Sequence, residues 1–205
     1  MTRVAGRWFG GTYAGRLPFV EAHLPAGPCR LLGVGNVGVE GFSSWARIRS
    51  LVTERGGTAT GCDLGPAKVG GLQVQGDLVR LPLRSAAFDV VYLGEVIEHL
   101  WEPLRGLCEA RRVLVPGGRL LLDTPNSLSL NGILNWSIRQ VDDLGDPDHK
   151  QTFTPASLLG YLEAAGFAVD EMATDRKLAI GRHPVPWVPG WRRLGPHLLV
   201  VASAA

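Results

Sequence analysis

The segment EVIEHL, from Glu95 to Leu100, places two carboxylates and an imidazole directly after the apolar run FDVVYLG. An imidazole with an ordinary pKa of ~6.5 takes up a proton near neutral pH, and a well-placed general base accelerates a reaction by ~10²–10⁴-fold. His99 of this segment and His149, far along the chain, are therefore two candidate bases. We favour His149, with Asp148 as a possible orienting carboxylate.

A glycine-rich segment, GVGNVG, forms a second candidate site at Gly33 to Gly38. It follows an apolar run and precedes an amphipathic stretch. Glycines let a backbone approach a ligand closely, and a helix N-terminus favours a negative group. We therefore take Gly33, Gly35 and Gly38 as ligand-binding candidates. The same spacing is compatible with a dinucleotide fingerprint, so an NAD(P)-dependent oxidoreductase stays open as an alternative.

Strands and helices that alternate along the chain must position these residues. The best-marked helix begins at Thr154 and Pro155 and ends before Gly166, which are typical cap residues. This alternation predicts an α/β fold with a mostly parallel, doubly wound sheet, whose ligands bind beyond the carboxyl ends of the strands. The predicted strands are 29–34, 58–63, 72–75, 88–93, 119–123, 167–174 and 197–202.

Composition limits the possible functions. The chain has 205 residues, which predicts one domain, residues 1–205, with residues 1–28 as an N-terminal extension. A net charge of +2 gives no polycationic surface for nucleic acid. The three scattered cysteines indicate neither a disulfide framework nor a zinc site. We expect no membrane segment and no signal peptide, and hence a cytoplasmic protein.

Three segments, GVGNVG, FDVVYLGEVIEHL and RVLVPGGRLLLDTPN, occur in an order that resembles the class I (Rossmann-like) S-adenosylmethionine-dependent methyltransferases, in particular the small-molecule type 11/23 families. The resemblance covers about Cys29 to Ala202. It implies seven strands with the last antiparallel, and S-adenosylhomocysteine as the product. The close spacing of Asp63 and Asp77 leaves room for only a short helix between the second and third strands.

The resemblance also implies roles for single residues. Asp63 would accept hydrogen bonds from the ribose hydroxyls, and Asp77 would bind the adenine amine while Leu78 packs on the ring. The family's acidic residue before the first glycine is missing, because Leu31 or Gly33 stands there. The cofactor-binding residues implied are Gly33, Gly35, Gly38, Asp63, Leu64, Asp77, Leu78, Leu93, Glu95 and Val96.

Residues 127–153 form a long connection, which is typical of an active-site lid. Asn131 to Arg139 has the apolar spacing of a short amphipathic helix. For substrate binding we predict Glu98, Asn126, Trp136 and Phe153. The acidic run Asp142, Asp143, Asp146 and Asp148 is interpreted as a solvated loop, and no metal is expected.

Together these features predict a methyltransferase that acts on a small molecule, and we favour a hydroxyl oxygen as the methylated atom. We expect a monomer or homodimer without nucleic-acid or membrane partners. The oxidoreductase alternative has little chain left for a substrate domain and no Tyr-x-x-x-Lys pair. A non-catalytic, methyltransferase-like binding module remains as a third interpretation. The sequence does not identify the acceptor.

Overall fold

A mixed sheet of eight strands forms the centre of the fold. The structure, a computed structural model, describes residues 8–35, 44–66, 71–134, 137, 148–175, 179–180, 183–184 and 193–204. Its strands in chain order are β1 (Trp8–Tyr13), β2 (Arg30–Val34), β3 (Thr58–Asp63), β4 (Leu72–Gln75), β5 (Phe88–Gly94), β6 (Leu114–Pro125), β7 (Phe167–Asp175), β8 (Ala179–Ile180), β9 (His183–Pro184) and β10 (His197–Ala204).

The strand order in the large sheet is β1-β7-β10-β6-β5-β2-β3-β4, while β8 and β9 form a separate pair. All neighbours in the large sheet are parallel except β10, which is antiparallel to both β6 and β7. This confirms the doubly wound α/β sheet with an antiparallel last strand. The strand number differs from the predicted seven, because β1 of the N-terminal extension pairs in parallel with β7.

Five α-helices are described: α1 (Arg16–His23), α2 (Ser44–Glu54), α3 (Pro103–Val113), α4 (Leu130–Leu134) and α5 (Pro155–Ala164), besides a 3-10 turn at Ile97–His99. The caps predicted for α5 are confirmed. Thr154 Oγ1 accepts a hydrogen bond from the Ser157 amide at 3.1 Å, and Ser157 Oγ accepts one from the Thr154 amide at 2.9 Å. This reciprocal pair satisfies two backbone donors that the first turn leaves open.

Apolar side chains cover both faces of the sheet. On one face Phe19 of α1 and Trp45 and Ile48 of α2 are buried, and on the other face Leu107 of α3 and Leu158 of α5 are buried. A parallel sheet needs such cover on both sides. The packing holds β2, β3 and β5 side by side, so that their carboxyl ends open at the same edge.

Two predicted helices fall partly outside the described residues. Between β3 and β4, residues 64–65 and 71 form bends rather than a helix, and residues 67–70 lie outside. Of the predicted helix Asn131 to Arg139, the structure describes α4 and residue 137, whereas Trp136 lies outside. Among the described residues, no helix has the length and apolar character needed to cross a membrane.

Candidate active site

A cavity of about 290 Å³ opens at the carboxyl ends of β2, β3 and β5, where an open parallel sheet binds ligands. Its volume is at the lower end of the ~300–1,000 Å³ of small-molecule sites. The cavity brings together eight of the predicted site residues: Gly35, Asp63, Leu64, Asp77, Leu78, Glu95, Val96 and His99. Val34, Gly76 and Leu100 complete its lining.

Gly35 is the glycine of the segment GVGNVG for which the structure shows a place in the cavity lining. This residue has φ +71, and a Cβ added there would lie 2.4 Å from Val96 Cγ2, so a side chain at this position would be both strained and obstructed. Gly33 instead lies within β2, where a Cβ would meet the Trp45 ring at 2.1 Å. Gly38 lies outside the described residues.

Asp63 is the last residue of β3 and Asp77 follows the end of β4, and both line the β3 side of the cavity. The Gly76 amide donates to the Asp63 carbonyl at 2.9 Å, which ties the loop before Asp77 to the end of β3. Asp63 Oδ1 accepts from the Gly65 amide at 3.3 Å, and Asp77 Oδ1 accepts from the Val79 amide at 3.0 Å. Each contact occupies one carboxylate oxygen, so each side chain keeps acceptor capacity for a ligand.

The two leucines beside these acids differ in exposure. Leu64 is 69% exposed, while Leu78 is 3% exposed and packs in the core. Leu93 is fully buried within β5 and does not line the cavity. Only Leu64 therefore offers a broad apolar surface to a ligand, and Leu78 offers an edge.

Glu95 forms the corner after β5 with φ +51, a backbone conformation that is uncommon outside glycine and frequent at functional sites. Its amide donates to the Asp123 carbonyl at 3.1 Å. Its Oε1 lies 2.6 Å from Arg16 Nη2 and 3.2 Å from His197 Nε2. Burial raises the pKa of Glu95, but these two partners outweigh burial and the net pKa is lowered.

Behind Glu95 lies a buried charge network that the sequence analysis missed. His197 Nδ1 contacts Asp175 Oδ2 at 2.9 Å, and although burial lowers the His197 pKa, hydrogen bonds to Asp175 and Glu95 raise it to about 9. Asp123 is fully buried, and burial raises its pKa to about 6. Its Oδ2 accepts from Tyr92 at 2.7 Å, and its Oδ1 pairs with Arg16 Nε at 3.3 Å without hydrogen-bond geometry.

Glu98, three residues after Glu95, is 1% exposed. Its Oε2 accepts from Thr124 Oγ1 at 2.9 Å, whereas its Oε1 is buried with no hydrogen-bond partner among the described residues. Burial raises the pKa of this carboxyl to about 8. An unpartnered buried carboxylate oxygen is costly, and this cost favours the protonated form of Glu98.

The two candidate bases, far apart in sequence, are neighbours in the structure. The His99 and His149 rings are 4.8 Å apart between centroids, in an edge-to-face arrangement. The Lys150 and Gln151 amides donate to the Glu98 carbonyl at 2.7 and 3.0 Å, which fixes the end of the predicted lid at this corner. Asp148 contacts His99 Nδ1 through its backbone carbonyl at 3.3 Å, while its side chain is 84% exposed.

The remaining predicted substrate-binding residues are Asn126, Trp136 and Phe153. Phe153 is 1% exposed and lies in the core under α5. Asn126 is fully buried, and its side-chain amide donates to the Gly195 carbonyl at 2.9 Å. Both positions fix the ends of the predicted lid. Trp136 lies outside the described residues.

The residues that sequence reasoning missed are Arg16, Asp123, Asp175 and His197. One signal was available, because Asp123 ends the apolar run RLLLD and a buried acid is unusual without a partner. Arg16 and His197 lie far from Asp123 in sequence and on opposite sides of it, so no local pattern indicates that these residues meet.

Comparisons with known proteins agree with this geometry. A family model described as "Methyltransferase domain" matches residues 42–122. A probable S-adenosylmethionine-dependent methyltransferase of Mycolicibacterium smegmatis is 38% identical over 47% of this chain and 35% of its own length. The chain thus spans about a third of that curated relative. A ubiquinone biosynthesis O-methyltransferase of Xanthomonas axonopodis is 27% identical over 77% of this chain and 70% of its own length.

The fold has solved counterparts. An S-adenosylmethionine-dependent methyltransferase from Mesorhizobium loti superposes with a TM-score of 0.62 at 19% identity, and the match covers 91% of this chain and 96% of that one. At this identity the likeness shows the fold alone. The comparisons therefore show two things: residues 42–122 match a methyltransferase domain model, and the chain has the fold of solved S-adenosylmethionine-dependent methyltransferases.

Proposed function

We propose that this chain transfers the methyl group of S-adenosylmethionine to a hydroxyl oxygen of a small molecule. The observation that carries the proposal is the cavity itself, which has Asp63 and Asp77 on one side and His99 on the other, with His149 next to His99. The two acids proposed to bind the nucleotide and one candidate base thus line the same cavity, and the second candidate base lies next to the first. The likeness to a ubiquinone biosynthesis O-methyltransferase supports oxygen as the methylated atom.

The residues present fit this cofactor. Gly35 has no side chain where one would fill the approach to Val96, which leaves room for the methionine part. Asp63 would accept from the ribose hydroxyls, and Asp77 would accept from the adenine amine. Bound S-adenosylmethionine supplies an activated methyl on a sulfonium.

In the proposed reaction the side chains align the acceptor and take up a proton. The acceptor oxygen bonds to the methyl carbon as the carbon–sulfur bond breaks, and the electron pair of that bond stays on sulfur. The hydroxyl proton passes to His149, our preferred base, or to His99. In-line alignment and exclusion of water supply the remaining acceleration. Residues 127–153 would close over the acceptor as a lid, with Glu98 and Trp136 on the substrate side and with Asn126 and Phe153 holding the two ends of the lid together.

Binding and turnover test this proposal in two steps. Calorimetry with S-adenosylmethionine and with NADH separates the methyltransferase from the oxidoreductase alternative. Release of S-adenosylhomocysteine is then scored for phenols, sugar hydroxyls and matched amines. Binding with turnover of hydroxyl acceptors supports the proposal. Turnover of the amines alone contradicts O-methylation, and binding without any turnover favours the binding module.

The location, the partners and the oligomeric state of this enzyme are also proposals. We infer a cytoplasmic enzyme with a small-molecule acceptor, active as a monomer or homodimer and without nucleic-acid or membrane partners. The modest net charge of +2 supports the absence of nucleic acid. Size-exclusion chromatography with light scattering measures the oligomeric state.

A further inference from the structure

We propose that Glu98, His99 and His149 bind a divalent transition-metal ion, of which Zn²⁺ is the type case, at the edge of the cofactor cavity. One ligand atom from each of the three side chains lies within 4.8 Å of the other two. These residues come from the corner after β5 and from the end of the predicted lid, so the cluster exists only in the folded chain. It is separate from the acidic run 142–148 that the sequence analysis interpreted as solvated.

Two polar atoms of this cluster are buried without the hydrogen bonds that such atoms usually make. Glu98 Oε1 and His149 Nδ1 are both buried and have no hydrogen-bond partner among the described residues. Buried polar atoms are satisfied in the great majority of cases, and exceptions point to an ion or water. Two such atoms in one cluster of three ligand-type side chains are accounted for by a single cation.

Hydrogen bonds from neighbouring groups hold the three residues in place, as they do for the ligands of bound metal ions. Thr124 holds Glu98 Oε2 at 2.9 Å, which leaves Oε1 as the remaining oxygen. His99 Nδ1 faces the Asp148 carbonyl at 3.3 Å, and metal-binding histidines commonly donate their second nitrogen to a backbone carbonyl in this way. The Lys150 and Gln151 amides hold the Glu98 carbonyl at 2.7 and 3.0 Å, which keeps His149 beside the other two ligands.

The donor set selects the metal. Two imidazole nitrogens and one carboxylate oxygen suit Zn²⁺ and its first-row neighbours, whereas Mg²⁺ and Ca²⁺ prefer oxygen ligands. A cation at the centre of three atoms spaced at the 4.8 Å limit lies ~2.8 Å from each, so inward shifts of less than ~1 Å reach the ~2.0–2.2 Å of zinc bonds. Three protein ligands also leave a coordination position open, as in catalytic sites.

The open position gives the cation a role, and this role rests on the proposed O-methylation. His99 lines the cofactor cavity, so a metal bound there lies where an acceptor hydroxyl would enter. A bound cation lowers the pKa of a coordinated hydroxyl. The proton then leaves to solvent, and the imidazoles act as ligands rather than as bases. The metal-free protein would keep an imidazole for proton removal.

Metal binding is tested without turnover. The 205-residue chain is stripped with EDTA, dialysed and titrated with Zn²⁺ by calorimetry, with Mg²⁺ in a parallel titration. We expect one Zn²⁺ per chain with micromolar or tighter affinity, and weaker Mg²⁺ binding. Glu98→Gln should weaken Zn²⁺ binding at least ~100-fold, because a charged ligand is lost while the Thr124 contact can persist. Glu102→Gln, on an exposed acid with 61% of its side chain accessible, is the matched control.

Several outcomes overturn the proposal. These are the absence of saturable Zn²⁺ binding, equal affinity in the Glu98→Gln and Glu102→Gln variants, or tighter binding of Mg²⁺. Should Glu98→Gln fail to fold by circular dichroism, His149→Ala replaces it, since His149 is only partly buried. The catalytic role has its own test. A loss of at least tenfold in turnover after metal removal, restored by Zn²⁺, supports the role, and unchanged turnover contradicts it while leaving O-methylation intact.

Discussion

Arg16 Nη2 lies 2.6 Å from Glu95 Oε1, so the first helix of the chain is tied to the corner that follows β5. The same guanidinium reaches Asp123 on β6 through Nε at 3.3 Å. One side chain from the predicted N-terminal extension therefore balances two carboxylates beside the cofactor cavity. Residues 16–23 are thus part of the framework of the site rather than an appendage.

Removing this cation should destabilise the fold. We expect Arg16→Gln to lower the free energy of unfolding by about 1–3 kcal/mol, because two partly or fully buried carboxylates lose a charged partner. Urea unfolding measures the change. Arg47→Gln is the control, since Arg47 and Glu54 form an exposed pair at 3.4 Å that contributes little. Equal losses in the two variants would show that Arg16 has no special role.

Asp63 should decide cofactor affinity. Asp63→Ala removes the proposed acceptor for two ribose hydroxyls, and charged hydrogen bonds contribute ~1.5–3 kcal/mol each. We expect S-adenosylmethionine affinity to fall at least tenfold, as measured by calorimetry. Glu163→Gln, on an exposed position of α5, should bind as the wild type does. Full affinity in a folded Asp63→Ala protein would remove the ribose assignment.

Substitutions at Gly33 and Trp45 should have non-additive effects on the free energy of unfolding. Gly33→Ala places a Cβ 2.1 Å from Trp45 Cζ3, and overpacking of this kind costs about 1–3 kcal/mol. Trp45→Leu alone creates a cavity and also destabilises. In the double variant the two changes should offset each other, so the loss of unfolding free energy is smaller than the sum. An additive double-mutant cycle in urea contradicts the close contact.

Stability should fall between pH 6.5 and pH 9 in metal-free protein. The His197 pKa is raised to about 9 in the folded state, so its stabilisation is complete below the unfolded value of ~6.5 and is lost as pH rises through 9. Glu98, with a pKa raised to about 8, acts in the same direction, because the folded state holds its proton longer than the unfolded state does.

His197→Gln separates these two contributions. We expect the variant to be less stable than the wild type at pH 6.5 and to lose less stability between pH 6.5 and 9, since only the Glu98 contribution remains. Urea unfolding at both pH values, with EDTA present, gives the comparison. Parallel losses in the two proteins would mean that His197 does not hold an extra proton in the folded state.

His149 should matter more for turnover than for cofactor binding. We expect His149→Ala to lower kcat by ~10²-fold or more, whether the imidazole takes the proton or holds a cation. His99→Ala should raise the KM of the acceptor or disturb the fold. Release of S-adenosylhomocysteine from pH 6 to 9 measures both. Full turnover of the His149 variant across this range would leave alignment as the source of catalysis.

Much of the fold could be predicted from local sequence. The strand FDVVYLG, the apolar face of α2 and the caps at Thr154 and Gly166 each lie within one short segment, where periodicity and cap chemistry act. The cavity also follows from them, because parallel strands bring Gly35, Asp63 and Glu95 to one edge. These residues could therefore be assigned to a shared site before the structure was available.

The remainder depends on contacts between distant segments. β1 is short and contains two glycines, and its partner β7 lies more than 150 residues away, so local propensity gives no sign of the pairing. Arg16 and His197 reach Glu95 from opposite ends of the chain. The sequence presented His99 and His149 as competitors, whereas the fold places their rings side by side. Such relationships come from topology, which periodicity does not encode.

The pairing of β1 with β7 also bears on how the protein behaves when it is shortened. A chain that began at Cys29 would lose β1 and Arg16 together, and the backbone donors and acceptors of β7 on that side would be open to a strand from another molecule. Such a truncated protein should associate through its sheet edge and should lose the balance of charge at the cavity at the same time. Solubility and cofactor affinity would then decline together, although every residue of the cavity itself is still present.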